Sequence, residues 1–223
     1  MAKSKSYMAM YRDRKRLLDG ALDERGGQRV PRPMDVSKFD GWTLEQIEGR
    51  IRNLAHEELF VLDGSGTIVS AYRGNRSSVA FYAREFNVEG ATVTHGHPKG
   101  MQDFGGTLSF RDVNNMAQSR WAEHRATASG QGEMNYIMRR TASSNPHGLR
   151  AQIASDKPAI RAEMKTTYDR AYNEARASGG SIGHATHVAR QASVGVLNRY
   201  WKDTLPQFGY QYVTRKDPYH YGR

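Results

Sequence analysis

Thr94-His95-Gly96-His97-Pro98, followed by Ser109-Phe110-Arg111-Asp112, is the stretch whose residue types and spacing fit a defined chemistry. Two histidines two apart at a strand end turn their rings to the same side. A catalytic zinc site takes neutral imidazoles, often with a carboxylate, and keeps one coordination position open for water. Asp112 can supply the carboxylate, because it shares a face with Ser109 in the first turn of a predicted helix. Ser109 can orient a water or donate to a developing oxyanion. Hydrolysis also needs a group that moves a proton. Glu57 and Glu58 both stand at the start of a predicted strand that could neighbour the His95 strand, so either can be that base. The other histidines, His56, His124, His147, His184, His187 and His220, show no partner spacing that marks a ligand.

The elements that must position these residues follow from periodicity. Thr43 with Gln46 is a capping box opening a helix that carries Leu44, Ile47, Ile51 and Leu54 at helical spacing. Residues 58–63 and 67–73 are apolar-rich runs joined by Gly64-Ser65-Gly66, which predicts a β-hairpin. Ser77 or Ser78 can cap a helix carrying Val79, Tyr82 and Phe86. Residues 91–94 form a short strand that delivers His95 at its end. A Gly-rich polar loop spans 98–107, and Ser109 starts a helix with Val113, Met116 and Trp121 on one face. Residues 125–129 and 134–140 close the set as two strands. The fold class is α/β: a mixed sheet with helices packed on it.

Four segments are expected. Residues 1–42 are a basic N-terminal arm, 43–142 the metal-binding domain, 143–156 a linker rich in Ser, Asn, Pro and Gly, and 157–223 a helical extension with a Tyr-rich basic tail. In the extension, 157–177 and 184–203 read as helices broken by Gly179-Gly180. The tail holds Tyr210, Tyr212, Tyr219 and Tyr221.

The chain has 223 residues, no cysteine and a net charge of +10. Without cysteine there are no disulfides and no thiolate-held metal, so any metal falls to His, Asp, Glu or water. No run approaches the roughly 20 apolar residues of a membrane span. The basic N-terminus lacks the apolar run of a signal peptide, and a soluble protein is expected. The positive balance favours a polyanionic partner.

The motif resembles the JAB/MPN (JAMM) metallopeptidase family, in which a glutamate precedes a hydrophobic strand, then His-x-His, then Ser-x-x-Asp on a following helix. His95-Gly96-His97-Pro98-Lys99-Gly100 is similar to the His-Asn-His-Pro-Ser-Gly of RadC-type relatives, and Glu57-Glu58-Leu59-Phe60-Val61-Leu62-Asp63-Gly64 looks like the family's first strand. Related sequences occur in bacteriophage head-morphogenesis and polyvalent proteins. The resemblance covers roughly residues 43–141. It implies a JAB/MPN-like fold, with His95, His97 and Asp112 as ligands of Zn2+, Ser109 as support for the oxyanion or the water, and Glu57 as the base. Two departures stand out. The gap from His97 to Ser109 is longer than usual, which places extra residues in a 101–106 loop, and Gly96 replaces a polar residue.

The resemblance therefore implies a zinc-dependent peptidase or isopeptidase, phage-encoded, acting in the host cytoplasm or the virion on a protein substrate. A second class is a virion-associated scaffold that binds capsid proteins or, through its basic arms, nucleic acid, without catalysis. A metal-dependent nuclease is a third.

Overall fold

The structure, a computed structural model, describes residues 30–75, 78–97, 107–128 and 134–216. Six strands form one mixed sheet: β1 (Glu58–Leu62), β2 (Ile68–Arg73), β3 (Thr92–His97), β4 (Glu123–Ala128), β5 (Met134–Arg140) and β6 (Tyr210–Lys216). Their order is β2-β1-β3-β4-β5-β6. β3 and β4 run parallel, and the other neighbours are antiparallel. The described residues include four α-helices: α1 (Leu44–Arg52), α2 (Phe110–Gln118), α3 (Pro146–Ala177) and α4 (Ile182–Thr204). Helix α2 is the crossover that a parallel pair requires.

Pleating gives the sheet two faces with different cores. Phe60, Leu62 and Ala71 point to one face, where Ile47 and Ile51 of α1 cover them together with Phe39. Each of the buried Phe, Leu and Ile side chains contributes roughly 1.5–3 kcal/mol. Leu59, Val61, Val93, Ala126, Tyr136 and Met138 point to the other face, under α2, α3 and α4. Helices α3 and α4 thus share the main core, through Leu149, Ile153, Met164, Val196, Leu197 and Trp201.

Several expectations meet the structure closely. Thr43 and Gln46 form both halves of the capping box of α1. The β1–β2 hairpin turns through Gly66 at φ 87°, a conformation that favours glycine. The Gly179-Gly180 break separates α3 from α4, with Gly179 at φ 85°.

Others are corrected. No α-helix carries Val79, Tyr82 and Phe86; a short 3-10 turn, Ala83–Asn87, stands there. Val79 and Phe81 both pack on the main core, an extended spacing, and Glu85 turns inward to take hydrogen bonds from Tyr72 and Ser70. Residues 146–156 are not a linker but the first turns of the 32-residue α3. Asn145 caps it by accepting from the Gly148 N–H, Pro146 occupies the first turn, and Leu149 and Ile153 are buried. The same Asn, Pro and Gly that suggest a linker are also what a helix start requires. Pro158, which resembles a first-turn proline, lies inside the helix. In the tail, Tyr210 and Tyr212 belong to β6, paired with β5, while Tyr219 and Tyr221 lie outside the described residues. So do the basic arm's first 29 positions and the 98–106 part of the loop. No helix among the described residues is long and apolar enough to cross a membrane.

On the α1 face a polar network is fully enclosed. Glu48 of α1 accepts from Nε and Nη2 of Arg125, from Asn135 Nδ2 and from Thr94 Oγ1. Breaking a buried pair leaves one charge uncompensated. Glu48→Ala is expected to cost about 3–5 kcal/mol in urea unfolding. Glu58 and Glu123 add acid sensitivity. Burial pushes both carboxyls up, but Arg50 and His56 at Glu58, and Arg139 and Arg125 at Glu123, outweigh it and hold them below the usual range. Their contribution is complete above the unfolded-state carboxyl pKa and is lost as pH falls through the lowered folded value. Unfolding free energy should therefore drop in acid, and Glu58→Gln should flatten that decline in a pH series.

Candidate metal centre

Strand β3 sets the site. His95 pairs with Leu59 of β1 and Ala126 of β4, both on the main-core face, and His97 follows on the same face. His124 of β4 pairs with Val93, so it too lies on this face, one strand over. Asp112, in the first turn of α2, reaches the sheet from above. His95, Asp112 and His124 each offer a ligand atom, all within 4.8 Å of one another. The Nε2 atoms of His95 and His97 are 3.1 Å apart, and His95 Nε2 is 3.5 Å from Asp112 Oδ1.

The Ser-x-x-Asp motif has a local physical role. Ser109 is the N-cap of α2: its hydroxyl accepts from the Asp112 N–H, and its own N–H donates to Asp112 Oδ2 at 2.7 Å. This capping box occupies Oδ2 and leaves Oδ1 facing His95. The Ser109 hydroxyl also lies against the Asp112 carboxylate, which it helps to keep ionised.

Helix α2 is pinned at both ends. Ahead of it, Trp201 Nε1 of α4 donates to the Leu108 carbonyl at 2.8 Å. Thr107 is tied to Asn198 of α4 and Tyr212 of β6, which also bond to each other. At its far end, Arg140 Nη2 donates to the carbonyls of Met116 and Ser119. The helical extension and the last strand are therefore part of what places Asp112.

The donor chemistry fits a cation. His124 Nδ1 lies 3.0 Å from the Asp112 carbonyl, which can only accept, so Nδ1 carries the proton and Nε2 the lone pair. That Nε2 is buried with no hydrogen-bond partner among the described residues. A ring N–H tied to a carbonyl while the other nitrogen stays open is the usual outer-shell pattern of a metal-binding histidine. Burial pushes the imidazoles of His95 and His124 down, against the pull of Asp112, which favours the neutral form that ligates. Burial also pushes the Asp112 carboxyl up, but His95, His124, His97 and the Ser109 hydroxyl overcome it and hold it at about 2. The group is a buried His-Asp-His cluster able to bind a metal ion.

The faces also separate the two glutamates. Glu58 points to the α1 side, where Arg50, His56 and Arg73 bind its carboxylate. Continuing the β1–β3 register past Leu59↔His95 sets Glu57 opposite His97, on the histidine face. Its backbone stays paired on the β2 side, with Asn75 and Gly74.

His124 is the residue that sequence reasoning missed. The strand was expected to begin at Arg125, but it begins at Glu123, and the difference brings His124 into the sheet. Its signal was the parallel partner strand, which a pattern of spacings along one segment does not reveal. Gly96, the departure between the histidines, also has a cause. A Cβ there would lie 2.8 Å from the Ile51 carbonyl oxygen and 3.1 Å from the Ile51 Cβ, so α1 packs directly on the strand.

Comparison with known proteins finds no matching family model, no matching curated protein and no matching solved structure.

Two measurements check the site. Elemental analysis of the purified protein should find a stoichiometric metal, lost in His95→Ala/Asp112→Ala and bound about 10–100-fold more weakly after Asn198→Ala/Tyr212→Phe. Gly96→Asn should destabilise the fold by about 1–3 kcal/mol in thermal unfolding, because α1 must move off β3.

Proposed function

We propose that this protein is a zinc-dependent peptidase or isopeptidase of the JAB/MPN (JAMM) type, similar to the RadC-like variants of bacteriophage proteins. The observation that carries the proposal is the convergence of His95, Asp112 and His124 with His97 Nε2 beside them. The His-x-His and Ser-x-x-Asp motifs supply His95, His97 and Asp112 in the family's order, and the extended β1–β3 register puts Glu57 on their face of the sheet.

Zinc held by His95, His97 and Asp112, with His124 beside them, would supply Lewis acidity, which makes water nucleophilic near neutral pH and polarises a carbonyl. Glu57 acts as general base: its carboxylate takes a proton from the attacking water as the new C–O bond forms. It then returns that proton to the leaving amine as the C–N bond breaks. Ser109 donates its hydroxyl proton to the oxygen that gains charge. His124, its Nδ1–H fixed by the Asp112 carbonyl, would present its open Nε2 to the same ion. The substrate class is a protein amide bond, either in the main chain or at a lysine side chain.

The test uses a panel of quenched-fluorescent peptides and lysine-linked protein conjugates. The zinc-loaded protein should hydrolyse an amide, lose the activity to a chelator and regain it with zinc. Glu57→Gln should lower kcat by about a hundred- to ten-thousand-fold while metal content is unchanged. Glu58→Gln should keep its activity. Cleavage of nucleic acid in place of any amide would assign the site to a nuclease and end this reading.

A further inference from the structure

A second site lies at the outer edge of the sheet, on the α1 face. Residues 30–34 run along β2: the Met34 N–H donates to the Ala71 carbonyl and the Arg73 N–H to that of Arg32. Between this segment, the 3-10 turn Val36–Phe39 and α1 is a recess of about 430 Å3. Arg32, Lys38, Arg50 and Arg73 surround it, with Phe39 and Trp42 among its walls. A second recess of about 240 Å3 adjoins it past Gly74 and shares Arg32 and Arg73.

The charge there is unbalanced. Asp35, the acid lining the recess, is engaged by the N–H and hydroxyl of Ser37. Glu58 is fully buried beneath, committed to Arg50, Arg73 and His56. Arg50 is thereby fixed by a two-point bond and lies over the Phe39 ring at 5.4 Å. Arg73 remains half exposed, and the Arg32 guanidinium is exposed with no hydrogen bond to the described residues. Four cations thus meet one solvent-reaching carboxylate, in a channel that also offers an indole ring.

We infer that this groove binds single-stranded nucleic acid, its phosphates on Arg32, Lys38 and Arg73 and a base against Trp42. Two adjoining compartments that share two arginines suit a ligand that repeats phosphate and flat ring along its length. An acidic peptide would meet the cations but would leave the indole without a flat partner. The inference is independent of the metal centre, which lies on the opposite face of the sheet.

Tryptophan emission supplies the test. Of the three tryptophans, Trp121 and Trp201 are 0% exposed, so a ligand that stacks in the groove reports through Trp42. Oligothymidylate added to the full chain should quench emission, and the quench should vanish in Trp42→Phe. Arg32→Glu/Lys38→Glu should keep its melting temperature, weaken binding at least about tenfold and reduce the salt slope by about 1–2. His95→Ala/Asp112→Ala should bind as the wild type does. Unchanged emission, or full affinity in the charge-reversed variant, would overturn the inference and place binding on the terminal basic residues. Displacement of the oligonucleotide by polyglutamate at equal charge concentration would assign the groove to an acidic polypeptide instead.

Discussion

The pleat of β3 is the constraint on which the rest of the molecule depends. Thr94 and Gly96 face α1, and His95 and His97 face the main core, so each face receives a different chemistry from one six-residue strand. The close approach of the Ile51 carbonyl at Gly96 holds this assignment. A one-residue slip would send the histidines under α1 and bring Thr94 and Gly96 to Asp112. Pairing of β3 with β1 on one side and β4 on the other fixes the register twice, and the β4 pairing brings His124 to the histidine face.

Helix α2 then has to hold one carboxylate at a fixed height above that face. A nine-residue helix is too short to be stable on its own propensity. Its ends are tied instead: the Ser109–Asp112 box and the Trp201–Leu108 bond at the start, and Arg140 at the finish. The groups come from β5 and α4, far along the chain. A helix within the 43–142 segment is therefore held in part by Trp201, which lies outside it.

Much of this was legible in the sequence because it is local. The capping box at Thr43, the Gly-Ser-Gly turn and the two-residue histidine spacing all announce themselves within a few positions. What was not legible depends on strands meeting. His124 becomes part of the site through parallel pairing with β3, and Glu58 is turned to the other face, where arginines on α1 and β2 bind it. The helix wrongly expected near Val79 and the supposed linker at 146–156 share another cause. Serine, asparagine, proline and glycine are used both at helix starts and in loops, and only burial of Leu149 and Ile153 or of Val79 and Phe81 decides between them.

Two buried polar clusters sit back to back across the sheet, and their carboxylates are engaged differently. Glu48 accepts four hydrogen bonds from three residues, so its carboxylate has little capacity left for a further ligand. Across the strand, Asp112 spends one oxygen on the Ser109 N–H and turns the other toward His95, while His124 keeps a buried Nε2 with no hydrogen bond among the described residues. An apolar core gains nothing from a buried lone pair without a donor, and leaving one costs roughly 1–3 kcal/mol. Glu48 is thus used up by its partners, whereas the oxygen of Asp112 and the ring nitrogen of His124 keep the capacity to bind a cation.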